Sequence, residues 1–310
     1  MANPKLRLAL ENGGTVMAPG IYDAATARLM RYLGFEYLYV PGSQTGTVLA
    51  TTEPLTTLTH MAEVGRTVER ACRGELPVIL DAGAGFGEPI HVMQTVRTLE
   101  LAGITAIHIE DQFYPKRASY FRGLEHVVPI DVYQQRLEYA MKAKTSKDFL
   151  IIGRTDGWRA APDPWVPDGG GIDETIRRCK AAMEVGVDVI FPIGIWNEEE
   201  YITIRRAIPD VPMMALMFGP QREPFSVQDY ASMGYQIIHT PFTSVAASII
   251  ALHDTYQSVL DTGRPLPVEP DRLKKMGEII DSILDTETKL RLEQEAKASL
   301  PFLSRSGAQG

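Results

Sequence analysis

A short phrase recurs along the chain: Gly34-Phe35-Glu36, Gly103-Ile104-Thr105, Gly186-Val187-Asp188 and Gly234-Tyr235-Gln236. Each closes a stretch with helical periodicity and opens an apolar run. Glycine suits that place, because the residue just past a helix end often takes a left-handed conformation that side chains disfavour. The apolar runs lie at about 14–18, 36–41, 77–81, 105–109, 149–153, 188–192, 212–217 and 236–240. Leu76-Pro-Val-Ile-Leu80 and Phe149-Leu-Ile-Ile152 show no polar alternation, as expected of strands buried on both faces of a parallel sheet. Between the runs, 58–72, 91–102 and 173–185 carry apolar residues at helical spacing. A βα unit repeated about eight times, with right-handed crossovers, predicts an α/β fold of the (β/α)8 TIM type. An open doubly wound sheet is the structural alternative.

The end of the chain breaks this rhythm. Residues 1–262 complete the predicted barrel, and 263–310 form a C-terminal helical extension beginning at Gly263-Arg-Pro-Leu-Pro267. The stretch 270–299 is charged and helical, with Ile279, Ile280, Ile283 and Leu284 on one face. Leaving such a face in water is costly, so it is expected to cover a surface of its own barrel or of a neighbouring subunit.

Charge narrows the partners. Thirty-nine acids against 31 bases give a net −8, a poor match to a phosphate backbone. No apolar run approaches the roughly 18 residues of a spanning helix, and Met1-Ala-Asn-Pro-Lys5 has no apolar signal core. The expectation is a cytoplasmic protein with no nucleic-acid or membrane partner. Cys72 and Cys179 cannot build a disulfide framework and are expected as buried free thiols.

Active sites of such barrels gather where strands end. Asp81, Glu110, Asp111, Arg154 and Asp156 close three consecutive strands, whereas the sixth, seventh and eighth end in Pro192-Ile193, Met217-Phe218 and His239-Thr240-Pro241. Carboxylates at a barrel mouth need a neutralising cation, and oxygen donors suit Mg²⁺. Arg154 is a natural fork for a substrate carboxylate; the alternative is an internal salt bridge to Asp81 or Glu110. Asp81-Ala-Gly-Ala-Gly-Phe-Gly87 lacks the dinucleotide-loop spacing and fits close backbone approach to a small ligand, or simply a tight turn. The long 112–126 loop is a lid candidate that would bring in Lys116 or Arg117, with a solvated surface loop as the plain alternative. The Pro- and Gly-rich 161–171 loop is a second cover candidate. His60, His91, His108 and His126, with the two cysteines, show no zinc spacing. His239 ends the eighth run, where it faces either the pocket or the packed core.

Four phrases together carry a resemblance: Ala18-Pro-Gly-Ile-Tyr-Asp-Ala24, Leu80-Asp-Ala-Gly-Ala-Gly-Phe-Gly87, His108-Ile-Glu-Asp-Gln112 with Pro115-Lys-Arg117, and Ile152-Gly-Arg-Thr-Asp156. In order and spacing, over about residues 10–260, the chain resembles the isocitrate lyase/phosphoenolpyruvate mutase superfamily, including its 2-methylisocitrate lyase-like and oxaloacetate decarboxylase-like members. The resemblance implies a (β/α)8 barrel, often tetrameric, with a C-terminal helix exchanged between subunits. It also implies Mg²⁺-assisted chemistry on 2-oxo or 2-hydroxy acids through an enolate, with Mn²⁺ as the alternative ion. By position, Asp81 is the direct metal ligand and Glu110 a ligand through water. Gly42 and Ser43 supply N–H groups, Arg154 binds the carboxylate, and Lys116 opens a gating loop.

The departures point one way. Gly83 stands where the family has a second aspartate, and Thr52 where it has another acid, with Glu53 beside it as a substitute. Pro41 replaces a serine. Ala118, followed by Ser119-Tyr120, replaces the lyases' catalytic cysteine, which argues against thiol-assisted cleavage of isocitrate or methylisocitrate. Ser119 and Tyr120 remain as proton-transfer candidates. Ile193 and Leu216 stand for a glutamate and an asparagine. Fewer acids weaken Mg²⁺ binding, and a more apolar pocket suits a bulkier, less charged substrate.

The sequence is therefore expected to encode a carbon–carbon lyase or decarboxylase acting on a substituted 2-oxo or 2-hydroxy acid. Glu110, Lys116 and Arg154 are the catalytic candidates, and Tyr39, Gly42, Ser43, Asp81, Arg154 and His239 the substrate contacts. Asp81 and Glu110 are the metal ligands, in a homodimer or homotetramer. Phosphorus–carbon mutase or hydrolase chemistry and a non-catalytic metabolite-binding barrel are the two alternatives.

Overall fold

The computed structural model describes residues 2–117, 125–219 and 224–299. Among them run eight strands: β1 (Val16–Pro19), β2 (Leu38–Val40), β3 (Val78–Asp81), β4 (Ala106–Glu110), β5 (Leu150–Thr155), β6 (Val189–Pro192), β7 (Met214–Leu216) and β8 (Ile237–Thr240). Helices interleave them: α1 (Lys5–Glu11), α2 (Ala24–Tyr32), α3 (Gly42–Val48), α4 (Leu58–Cys72), α5 (Pro89–Leu101), α6 (Ile130–Ala143), α7 (Ile172–Val185), α8 (Glu198–Ala207), α9 (Val227–Ser232) and α10 (Thr243–Thr262). Two more, α11 (Pro270–Leu284) and α12 (Thr286–Ser299), follow the barrel.

Every observed strand pairing is parallel. One ladder joins β2 through β6 in sequence order, and another joins β1, β8 and β7. Parallel bridges at Gly20–Tyr39 and Ile190–Met213 connect the two ladders, with Ile21 N donating to Tyr39 O at 2.8 Å and Ile190 N to Pro212 O at 2.9 Å. The circle is thereby complete, and the doubly wound alternative is excluded. Strand edges are narrower than the apolar runs. The 36–41 run is strand only over Leu38–Val40, because Pro41 has no N–H to pair and instead precedes α3.

Alternation along each strand sorts the residues. Val78, Leu80, Ile107, Ile109 and Ile151 face the helices, while Ile79, Ala106, Leu150, Ile152 and Phe191 fill the barrel. Leu6 and Leu10 of α1 join this inner layer and close the end where the strands begin. The same parity carries Asp81, His108, Glu110 and Arg154 inward, and Glu110 sits in register with Arg154. Gly153 faces out, where a Cβ would meet Ala182 Cβ at 3.0 Å, so a side chain there would separate β5 from α7.

Cys72 and Cys179 are buried and free, as expected. The single helix expected over 270–299 is two, divided at Asp285, whose φ of +56° ends α11. Against α2, Arg28 Nη1 donates to Ile283 O at 2.6 Å, and Lys275 lies over the Tyr32 ring. Ile279 and Ile283 are half-buried, whereas Ile280 and Leu284 stay exposed. Among the described residues, no helix is long and apolar enough to cross a membrane.

Candidate active site

Four carboxylates, Glu53, Asp81, Glu110 and Asp156, and two cations, Lys116 and Arg154, meet where β2 to β5 end. Asp81 Oδ1 accepts the Gly83 N–H at 2.8 Å and Oδ2 accepts the Gly42 N–H at 3.3 Å. A Cβ at Gly42 would sit 3.0 Å from Asp81 Oδ2 and 3.2 Å from Glu53 Cγ, so glycine allows this close approach. Arg154 lays Nε and Nη2 on the two carboxylate oxygens of Asp156, at 3.0 and 2.9 Å. Its Nη1 reaches Glu110 Oε2 at 3.1 Å and Asp81 Oδ2 at 3.6 Å. Lys116 bridges the far side, 3.2 Å from Glu110 Oε1 and paired with Glu53.

These neighbours set the charges. Burial opposes ionisation of Asp81, but His108, Arg154 and Lys116 outweigh it and hold its carboxyl at about 2. Burial wins at Glu110, pushed up to about 7 against the pull of Arg154 and Lys116. Beneath them, His108 Nε2 contacts Tyr39 Oη at 2.8 Å, and burial pushes its imidazole down to about 4. His239 is buried against Tyr39 and Phe191, with ring centroids 4.3 and 5.1 Å away. Burial first, with the charge of Arg154 nearby, keeps it neutral, and among the described residues neither ring nitrogen has a hydrogen-bond partner.

A second acid pair lies beside Arg154. Glu125 is buried, its carboxyl hydrogen-bonds to Asp156, and its Oε1 is 3.3 Å from Arg159 Nη1. Burial first, and Asp156 next, push Glu125 up to about 10, while Arg154 holds Asp156 ionised despite its burial. One proton is therefore shared between two carboxyl groups, with Glu125 holding it.

A cavity of about 610 Å³ opens over the barrel, lined by Tyr39, Ser43, Asp81, Arg154 and His239 on one side and by Phe191, Ile193, Leu216 and Phe218 on the other. A smaller one beside Gly42 is lined by Glu53, Asp81, Glu110 and Lys116. Tyr39, Gly42, Ser43, Asp81, Glu110, Lys116, Arg154 and His239 thus sit around one mouth. Of the two adjacent candidates, Glu53 rather than Thr52 reaches the carboxylate group, because the turn Glu53–Leu55 aims it there.

Several expectations need correction. Asp111 stands outside the mouth; it accepts from Thr155 Oγ1 at 2.6 Å, Asp156 N at 2.9 Å and Arg178 Nη1 at 3.1 Å, and so braces the β5 turn. Arg154 does make the internal salt bridges to Glu110 and Asp81 that the alternative named, and its fork is in addition filled by Asp156, which the sequence had not paired with it. The 161–171 loop packs sideways: Trp165 Nε1 donates to Val127 O at 2.7 Å, and Val166 packs with Val127 and Ala160. Within the lid candidate, Ala118, Ser119 and Tyr120 lie outside the described residues. Arg117 covers the Phe113 ring at 4.8 Å. Glu125 and Arg159 carried no signal of their own, since only folding brings these loop residues beside Asp156.

The donor set suits a hard cation. Asp81, Glu53 and Glu110 offer carboxylate oxygens with no soft ligand among them. Lys116 already neutralises two of the three, and among the described residues no cluster of three metal-ligating side chains closes on one point.

The sequence profile of the phosphoenolpyruvate phosphomutase family matches residues 6–260. The chain is 33% identical over 280 residues to 2-methylisocitrate lyase of Aeropyrum pernix, covering 90% of this chain and 86% of that one. The crystal structure of 2,3-dimethylmalate lyase superposes with a TM-score of 0.81 at 27% identity, covering 95% of this chain and 99% of that one. Oxaloacetate acetylhydrolase in complex with 3,3-difluorooxalacetate gives a TM-score of 0.81 at 27% identity, covering 95% and 96%.

Proposed function

The chain belongs to the isocitrate lyase/phosphoenolpyruvate mutase superfamily, and from that premise we propose that it cleaves a carbon–carbon bond of a substituted 2-oxo or 2-hydroxy acid, as a lyase or a decarboxylase. The convergence of Asp81, Glu110 and Glu53 with Arg154 at one barrel mouth carries this reading. Asp81, with Glu110 and Glu53, would hold Mg²⁺ or Mn²⁺. A divalent ion there supplies Lewis-acid stabilisation of negative charge developing on the substrate's oxo oxygen.

The protein's own groups do the rest. Asp81 stays ionised through its cationic neighbours and is ready to bind a cation. Lys116, held between Glu53 and Glu110, keeps an ammonium at the mouth, where it would face negative charge developing on the substrate. Arg154 Nη1 is turned toward Asp81 and Glu110, the side on which a substrate carboxylate would enter, while Asp156 fixes the other edge of the guanidinium. Tyr39 orients His108. His239, neutral and unpartnered, offers a hydrogen bond from the cavity wall; Ser43 offers another.

The division into a 1–262 barrel and a 263–310 extension fits a homodimer or homotetramer in which the extension packs on a neighbour. A cytoplasmic metabolic role completes the proposal. Titrating oxalate, an enolate mimic, into metal-free protein with and without Mg²⁺ tests it. Mg²⁺-dependent binding that Asp81→Ala loses is expected; absence of binding in both conditions would overturn the metal assignment.

A further inference from the structure

The barrel mouth is divided by polarity. The carboxylates and cations of the site come from β2 to β5 and the segments that follow them. The end of β7 and the loops after β6 and β7 bring Leu216, Ile193, Trp196 and Phe218 instead. Trp196 and Phe218 stack, with ring centroids 5.6 Å apart and planes 25° from parallel, so this wall is preformed. Phe191 continues it inward beneath the guanidinium of Arg154, which is 5.9 Å from the ring centroid. Arg159 also lines this side, but its guanidinium is turned to Glu125 at 3.3 Å.

Arg154, Arg159, Ile193, Leu216 and Phe218 line both the large cavity and a second one that contains Glu125 and Trp196, so polar and apolar surfaces belong to one continuous site. A three-carbon acid anchored at Asp81 and Arg154 would leave the apolar wall facing water. A substrate that covers the wall removes that apolar surface from solvent at about 25 cal/mol per Å².

We infer that the substrate carries an aryl or branched-alkyl group, seated on Ile193, Leu216 and Phe218 while its carboxylate end sits at Arg154, on the side that faces Asp81. The inference rests on the proposed function for its polar end and adds the chemical class of the other end. A second carboxylate seated there would lose hydration against three apolar side chains, and the cation that shares the lining, Arg159, is turned to Glu125.

Calorimetry with oxamate, N-benzyloxamate and N-(carboxymethyl)oxamate, all with Mg²⁺, separates the two layers of argument. Oxamate reproduces the 2-oxo acid end; the two derivatives add an apolar or a charged tail. The expected result is that N-benzyloxamate binds on the order of tenfold tighter than oxamate, and the charged derivative more weakly than either. Phe218→Ser should bring the benzyl-to-parent ratio close to one. Oxamate binding with no gain from the benzyl tail, or with the charged tail preferred, overturns the inference and leaves the proposed function standing. Benzyl binding without parent binding supports the apolar seat and removes the polar anchor. No binding by any of the three overturns both. The wild-type ratios alone decide the inference, so they hold even if the variant fails to fold.

Discussion

Lys116 and Glu110 form a buried ion pair at 3.2 Å, and the same ammonium also pairs with Glu53. One cation thus neutralises two carboxylates that would otherwise repel each other out of water. Deleting one partner of a buried pair costs about 3–5 kcal/mol, because the remaining charge is left uncompensated. Lys116→Met is therefore expected to lower the melting temperature markedly in chelator, with Mg²⁺ restoring much of the loss. Thermal melts with and without Mg²⁺ check it; an equal loss in both would show that the ion does not take the place of the lysine.

Gly42 tests the other edge of the same cluster. A methyl group at Gly42 would press on Asp81 Oδ2 at 3.0 Å and Glu53 Cγ at 3.2 Å. Gly42→Ala is expected to displace both carboxylates and weaken Mg²⁺-dependent oxalate binding by about tenfold, equivalent to roughly 1.4 kcal/mol. Titration calorimetry reads this directly. Unchanged affinity would mean that Asp81 and Glu53 do not hold the ion together.

The arginine fork is a geometric demand as well as a charge. Arg154 meets Asp156 through two N–H groups and still turns Nη1 toward Glu110 at 3.1 Å. A lysine has one ammonium and cannot hold all three directions. Arg154→Lys should lower kcat/KM by about 100-fold or more, roughly 3 kcal/mol, once a turned-over substrate is in hand. Retention of wild-type kcat/KM would remove Arg154 from the carboxylate site.

Much of this was legible in the residues, for a physical reason. Glycine at the helix ends and unbroken apolar runs mark both ends of each βα unit, so all eight strands could be placed from sequence. Period-two alternation then carries Asp81, Glu110 and Arg154 to the same mouth. What escaped depends on longer-range folding. Glu53 and Thr52 are adjacent, and only the turn at Glu53–Leu55 decides which one faces Lys116. Glu125 and Arg159 belong to different loops and meet only in three dimensions. The break at Asp285 was hidden because a left-handed aspartate lacks the glycine that usually marks such a helix end.

Glu125 predicts a pH dependence with a definite sign. An unfolded glutamate titrates near about 4.3, whereas burial and Asp156 raise Glu125 to about 10 in the folded chain. Between those values the native state holds a proton that the unfolded state has released. Its contribution to stability therefore falls as pH rises through that window. Glu125→Gln keeps an acceptor for Arg159 and a donor for Asp156 without the titrating proton. The variant should gain melting temperature over wild type, and more at about pH 8.5 than at about pH 5. An advantage that stayed constant across pH would show that Glu125 does not hold the shared proton.

The extension makes the last test. In a single chain Leu260 is 80% exposed, and Leu273, Met276, Ile280 and Leu284 are also open to solvent. Contact with α2 covers only Ile279 and Ile283 in part, so most of the apolar surface still needs a partner. Patches of that kind are rarely left open on soluble monomers, and a second copy of the chain would cover them. Light scattering on the full chain should give a mass that is a multiple of 34.3 kDa. Removal of residues 263–310 should lower that multiple or drive aggregation as α2 loses its cover. A full-length chain that runs as a monomer at micromolar concentration would instead leave these helices serving their own barrel alone.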